Sequence, residues 1–328
     1  MRVLVTGGSG FLGSHVVEQL AKAGHTVRAL VRRSSNRTFL STLAGVEFAE
    51  GSVEDAASLV SAMRGVDGVV HAAGLVKARN RDEFFATNVT GTTNLLDATK
   101  REAPGLRRFV FVSSLGAVGP SADGGPVDPG QAKPVTHYGR SKLEAERAVV
   151  AERDRLPVTV IRPPLIYGPR DTETLQFFQW VARGVRLVYG DGSNTLSLVY
   201  GADAASACVR ALEADVPSGS AYFVDDGEVY PWRDVMIGME EALGKRTFVR
   251  FGIPLGVVKA YAALSEAYGK VANKAVMVTR DKFNELSQRH WVCSSLDTRE
   301  ALGWSPKVKL AEGLSSTASW YRQERWLS

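Results

Sequence analysis

The sequence predicts an α/β fold, a doubly wound parallel sheet with a smaller C-terminal region beside it. Three observations predict it. Short β-branched runs alternate with longer stretches of helical period as far as Arg162. The first run leads at once into a glycine-rich turn that opens a helix. Past Tyr167 the alternation loosens into aromatic-rich helices and short strands. Repeated strand, helix, strand units imply parallel pairing, because each return has to cross a face of the sheet.

Taken in order, Arg2–Thr6 reads as a strand, Ser14–Ala23 as a helix and Thr26–Val31 as the next strand, which completes a βαβ unit. Strands follow near Val46–Ala49, Gly68–His71, Arg108–Ser113 and Val158–Arg162, with helices near Ala56–Met63, Glu83–Lys100 and Tyr138–Arg153. Pro120–Pro134 is a long loop rich in Gly, Pro and Ala, and long loops in compact domains are often functional. Ala221–Val224 reads as a late strand. The expected division is a dinucleotide-binding Rossmann domain over residues 1–163, to which 196–225 returns. A substrate-binding region takes 164–195 and 226–328.

With 45% hydrophobic residues in 328, the chain has the apolar content of a globular protein, which excludes disordered and fibrous classes. The net charge of +5 is modest and the Lys and Arg residues look scattered, so no nucleic-acid partner is expected. Cys208 and Cys293 are too few for a disulfide framework and lack metal-site spacing; they read as buried fillers, and no metal is expected. The first strand begins almost at the start of the sequence, leaving no room for a targeting segment, and a cytoplasmic location is expected. Ile253–Val278 is the longest apolar stretch, but Lys259, Glu266, Lys270 and Lys274 interrupt it.

The cofactor signal is Thr6-Gly7-Gly8-Ser9-Gly10-Phe11-Leu12-Gly13, directly between strand and helix. Glycines at that spacing let the turn approach a pyrophosphate, which the N–H groups and positive dipole of the helix start then hold. In an NAD enzyme an acid about 20 residues further on would bind the adenosine ribose. Here no Asp or Glu occurs between Glu18 and Glu47, and the second strand runs out into Val31-Arg32-Arg33-Ser34-Ser35. A guanidinium suits a 2′-phosphate, so NADP(H) is favoured over NAD(H), with solvated loop charges as the alternative for Arg32 and Arg33.

Tyr138-Gly-Arg-Ser-Lys142 opens a helix, which puts Tyr138 and Lys142 one turn apart on a shared face. An ammonium beside a phenol is expected to lower its pKa and make Tyr138 a usable proton donor and acceptor. Ser113 and Ser114 stand where a parallel strand ends, the edge at which open α/β sheets place ligands, and a hydroxyl there can polarise a carbonyl. Turn chemistry is the alternative reading of that pair. Asn88 falls in mid-helix, where Asn is disfavoured, and this points to a bond with backbone across the sheet.

Together these motifs resemble the extended short-chain dehydrogenase/reductase superfamily over nearly the whole chain, adding His71-Ala-Ala-Gly74, Asn88-Val-Thr-Gly91, Val112-Ser-Ser114 and Arg162-Pro-Pro-Leu-Ile-Tyr-Gly-Pro169. The resemblance implies Ser114, Tyr138 and Lys142 as a catalytic triad. It implies dinucleotide contacts at Gly7, Gly10, Phe11, Leu12, Gly13, Arg32, Ser52, Val53, Ala72, Ala73, Gly74, Asn88, Ser113, Tyr138, Lys142 and Pro163. Ser52 stands where many members have Asp. Sugar-nucleotide members usually carry Asn at Leu165 and Arg at Leu196, and dehydratases an Asp-Glu pair at Leu115-Gly116. Arg162–Asp171, Gly190–Asn194 and the stretch from His290-Trp291 to Gly313 instead resemble the 3β-hydroxysteroid dehydrogenase and 2-alkyl-3-oxoalkanoate reductase branch, whose substrates are apolar. The expected function is a 3-keto/3β-hydroxy oxidoreductase on a lipid-like or steroid-like substrate, with Lys77, Leu165 and Leu196 at the substrate. A sugar-nucleotide 4-epimerase and a non-catalytic dinucleotide-binding regulator are the alternatives. Pro254–Val278, with Tyr261, Leu264 and Tyr268 at helical spacing, is read as a pocket wall, a membrane-resting face or a plain core helix. A homodimer is left open.

Overall fold

The computed structural model describes residues 1–272, 274–276 and 278–327, with the side chains of residues 189, 250, 251 and 270 left aside; Asn273 and Met277, inside Pro254–Val278, lie outside the described residues. The chain begins with β1 (Arg2–Thr6), α1 (Phe11–Lys22), β2 (Thr26–Val31), β3 (Val46–Glu50), α2 (Ala56–Met63) and β4 (Gly68–His71). It continues with α3 (Arg81–Phe85), α4 (Gly91–Glu102), β5 (Arg108–Val112), α5 (Leu115–Val118), α6 (His137–Ala151) and β6 (Val158–Arg162). Every residue of β4, β5 and β6 is buried, as expected of parallel strands covered by helices on both faces. The period of two sorts them: Val3 and Val5 of β1 join Val16, Val17 and Leu20 of α1, while Leu4 joins Leu59, Leu95 and Val149 of α2, α4 and α6.

The expected single helix over Glu83–Lys100 is instead α3, a π-helical turn at Ala86–Thr90, and α4. Gly91 sits against Val53, where a Cβ would come within 2.6 Å of the valine methyl, so the wide turn lies where two segments press together.

Past β6 come β7 (Leu165–Tyr167), α7 (Leu175–Ala182), β8 (Val185–Tyr189), β9 (Thr195–Leu196) and β10 (Leu198–Tyr200). Next are α8 (Gly201–Glu213), β11 (Ser220–Phe223), β12 (Tyr230–Pro231), α9 (Trp232–Leu243) and β13 (Val249–Ile253). The remainder is α10 (Leu255–Ala272), α11 (Arg280–Leu286), β14 (His290–Trp291), α12 (Leu296–Leu302) and α13 (Leu310–Gln323). β11 pairs with β6 and completes a seven-stranded sheet of order β11-β6-β5-β4-β1-β2-β3, while α8 adds Ala205, Cys208 and Leu212 to the core beside α1. A separate core of Tyr167, Phe178, Trp232, Met236, Leu314 and Tyr321 holds the C-terminal region. Strand order reverses between β1 and β4, and the crevice beyond their carboxyl ends is where open α/β sheets bind ligands. Among the described residues no helix is long and apolar enough to cross a membrane.

Candidate active site

The glycine turn closes directly onto that crevice. Gly7 has φ +70°, and a Cβ on it would lie 2.7 Å from the amide nitrogen of Ala73, while a Cβ on Gly13 would collide with the Gly7 carbonyl. The turn is drawn together by Gly10 N–H donating to Gly7 O at 2.9 Å. No side chain caps α1 at Gly10 and no acid occupies its first turn, so its leading amides and positive dipole end are left for an anion. The Phe11 ring meets Gly201 and stands edge-on to His15, and Leu12 packs against the core, which leaves the backbone of both to the crevice. A dinucleotide pyrophosphate fits this cradle. At the other end, Ser113 Oγ is buried with no partner among the described residues.

Beyond β2, Arg33 and Arg37 pair with Glu50 at 3.4 and 3.5 Å, whereas Arg32 is exposed and makes no ion pair among the described residues. Glu50 stands beside Val31 in the β2–β3 register, a carboxylate at the end of β2 that linear spacing hides. Ser52 turns inward: its hydroxyl accepts from Glu54 N–H and its N–H donates to Ser58 Oγ, both at 3.2 Å. Val53 is buried against Gly91.

Register places Thr6 beside His71, and a chain of hydrogen bonds runs through them. Thr92 Oγ1 donates to Asn88 O at 2.6 Å, so it accepts from His71 Nε2 at 2.9 Å. The other ring nitrogen, Nδ1, therefore accepts from Thr6 Oγ1 at 2.6 Å, and Thr6 Oγ1 accepts from Ala73 N–H at 3.2 Å. Burial, with the Lys142 charge nearby, pushes the His71 pKa down to about 3, and the ring is neutral. The backbone that Asn88 bonds belongs to Leu75, in the loop after β4 rather than across the sheet. Its Oδ1 accepts Leu75 N–H at 2.7 Å, and its Nδ2 donates to Leu75 O at 3.1 Å and Ser141 Oγ at 2.9 Å. Ser141 Oγ in turn donates to Tyr138 O. Gly74 is held beside this amide and Lys142 Nζ, with room for no larger residue at ease.

Ser114, Tyr138 and Lys142 converge beyond β5. Ser114, two residues past β5, caps α5 through Gly116 N–H at 3.0 Å, and Gly116 leaves space for the Tyr138 ring. Thr136 caps α6, setting Tyr138 on its first turn. Lys142 Nζ donates to Val112 O at 2.6 Å and lies 4.4 Å from the centre of the Phe111 ring. Burial lowers its pKa to about 8, against the pull of Glu146, which is itself paired with Arg162. The expected lowering of the phenol by Lys142 does not occur. Burial pushes Tyr138 up to about 12, a hydrogen bond with Ser114 draws it down, and the Glu285 carboxylate raises it further. The ammonium is turned to a backbone carbonyl and a ring face instead.

The substrate-side expectations fare unevenly. Leu165 is 39% exposed, but Leu196, held in β9 between β12 and β14, is 6% exposed and belongs to the C-terminal core, so it does not line an open pocket. Lys77 is taken up by Glu173 at 2.6 Å. Pro163 O accepts Leu115 N–H at 2.8 Å, which fixes the turn after β6 to the one after β5. Sequence reasoning missed α11: the Asp281 carboxylate accepts His137 N–H at 2.9 Å, capping α6 a second time, and the Glu285 carboxylate raises the Tyr138 pKa. Nothing in the local pattern links these residues to α6, which lies far upstream. Among the described residues no cluster could hold a metal ion.

Comparison with known proteins agrees with this geometry. Residues 3–224 match the NAD dependent epimerase/dehydratase family. A ceramide reductase of Caulobacter vibrioides is 33% identical over 99% of this chain and 96% of its own. A 2-alkyl-3-oxoalkanoate reductase of Stenotrophomonas maltophilia is 32% identical over 96% and 97%. The solved structure of a dTDP-glucose 4,6-dehydratase from Streptomyces venezuelae, a double mutant with NAD bound, is similar at TM-score 0.81 and 26% identity, covering 99% of this chain and 98% of that one.

Proposed function

The chain belongs to the NAD dependent epimerase/dehydratase family, the extended short-chain dehydrogenases/reductases, and from that premise we propose that it is an NADP(H)-dependent reductase of an apolar 3-keto substrate. That it is an enzyme and an oxidoreductase using a nicotinamide dinucleotide follows from the family and its relatives. The observation that carries the oxidoreductase reading is the convergence of Ser114, Tyr138 and Lys142 beside the glycine-lined crevice. Two of its relatives are named as reductases of ceramide and of 2-alkyl-3-oxoalkanoates, both long-chain compounds, which supports a lipid ketone or alcohol here. Exposed Arg32, with no ion pair among the described residues, supports NADP(H).

The bound nicotinamide supplies the hydride. The protein's own groups handle the oxygen and its proton. Ser114 Oγ donates a hydrogen bond to the carbonyl oxygen and polarises it. Tyr138, held protonated by its raised pKa, gives its phenolic proton to the oxygen as negative charge develops there, which is the reductive direction. Lys142, anchored on Val112 O, would hold the ribose of a bound cofactor with its ammonium. Half-exposed Leu165 offers a diphosphate neither cation nor amide, so a sugar nucleotide would lose hydration without replacement there.

The test follows nicotinamide absorbance with NADPH and 3-oxoacyl esters of increasing chain length, 3-keto steroids and UDP-glucose. Turnover that improves with chain length or ring count is expected. Micromolar binding of UDP-glucose, with no turnover of either apolar class, would replace this reading by the epimerase.

A further inference from the structure

The Lys and Arg residues look scattered along the chain, but their balance against Asp and Glu is not even. Residues 245–282 carry eight basic and two acidic residues, a net of +6 against +5 for the whole chain, so the remaining 290 residues sum to −1. The same segment holds a row of exposed apolar side chains on α10. Val257, Tyr261, Leu264, Tyr268 and Val271 are 56, 58, 72, 64 and 89% exposed. Spacings of four, three, four and three residues line them up on one side of the helix, over about 20 Å at ~1.5 Å per residue. Val258 and Ala262, 5% and 0% exposed, form a different side, the one that packs inward. Single exposed apolar residues are ordinary, but a continuous stripe marks a contact surface.

We propose that this stripe of α10, carried by a segment of net charge +6, docks on an anionic lipid surface. Charge decides the occupant. A second copy meeting stripe to stripe would bring two segments of +6 together, whereas an anionic leaflet attracts such a segment across about a Debye length. Tyr261 and Tyr268 have an apolar body and a polar tip, which suits the headgroup boundary, with Leu264 and Val271 entering the acyl edge. Of the basic residues in this segment, Lys245, Arg246, Lys259 and Lys274 are exposed, Lys274 three residues beyond Val271.

The surface is also connected to the site. The N–H of Arg280, the first residue of α11, donates to Glu266 of α10 at 3.2 Å, and Asp281 of α11 holds His137, the neighbour of Tyr138. These bonds tie α10 to α11 and α11 to α6; the docking itself does not depend on the apolar-substrate reading.

The experiment is co-sedimentation of the full chain with vesicles of phosphatidylcholine alone, or with one quarter phosphatidylglycerol, at 50 and 500 mM NaCl. Binding to the anionic vesicles at least tenfold tighter than to the neutral ones is expected, weakening severalfold at high salt. Combining Leu264→Ser, Tyr268→Ser and Val271→Ser should lower it at least tenfold with the unfolding temperature unchanged. Three results overturn the proposal: no vesicle binding by the wild type, equal binding to both vesicles, or a triple variant that binds as the wild type does. A wild-type dimer that the substitutions split, without lipid binding, assigns the stripe to a second copy instead. No turnover is read, so failure here and failure of the catalytic reading are separate outcomes.

Discussion

Removing the Lys142 ammonium by Lys142→Met changes how stability depends on pH. Lys142 is 5% exposed, and burial lowers its pKa from 10.5 to about 8. Below pH 8 the folded and unfolded chains both carry the proton. Between about 8 and 10.5 the unfolded chain still binds it and the folded chain does not, so stability rises with pH through that window. The full gap is worth roughly 3 kcal/mol, of which about 2 kcal/mol falls between pH 7 and pH 9.5. Other groups titrate over the same range, but they are common to wild type and Lys142→Met and cancel in the difference. Urea unfolding followed by tryptophan fluorescence, without added cofactor, measures it at both pH values. The wild type should gain about 2 kcal/mol relative to the variant on going from pH 7 to 9.5. A difference that stays constant would mean that burial does not lower the Lys142 pKa, and the desolvation argument would fall, its carbonyl and ring contacts then holding the ammonium charged.

Tyr138→Phe should lower kcat by about 10²–10⁴ and leave the cofactor dissociation constant nearly unchanged, because only the proton-transfer hydroxyl is lost; retained turnover removes Tyr138 from the mechanism. NADPH should bind about 10- to 100-fold tighter than NADH through Arg32, and Val31→Asp with Arg32→Ala should reverse the order in a fluorescence titration. If the double variant keeps the preference, the 2′-phosphate is held elsewhere. Gly13→Ala drives a methyl into the Gly7 carbonyl, and calorimetry should show cofactor affinity falling more than about tenfold; an unchanged value would mean that the turn opens freely.

The sheet was legible because its central strands are buried on both faces and read as unbroken apolar runs, and the glycine turn because its spacing follows from contact with β4. What escaped depended on residues distant in sequence. The π-helical turn before Gly91 lies where Val53 presses close, and periodicity cannot register that approach. Leu196 is buried because β9 pairs with β12 and β14, strands that come much later in the chain. Helical spacing put Tyr138 and Lys142 on one helix, α6, yet the ammonium's partner is the Val112 carbonyl at a strand end, and it is Glu285 of α11 whose charge acts on the phenol. Helical spacing supplies direction, not the identity of the opposing surface.

The hydrogen-bonded chain through His71 has a consequence for proton traffic. A relay works by reversal, each member passing on one proton and taking another from behind. This chain begins at a backbone N–H, that of Ala73, and ends at a backbone carbonyl, that of Asn88, and neither can exchange roles. Thr6, His71 and Thr92 are thereby locked in one sense, and the imidazole, though it lies close to the crevice, is a fixed strut. Under the proposed mechanism, the proton that Tyr138 would give up is therefore not resupplied through this chain, and Thr92→Val should weaken the fold without changing the solvent isotope effect on turnover.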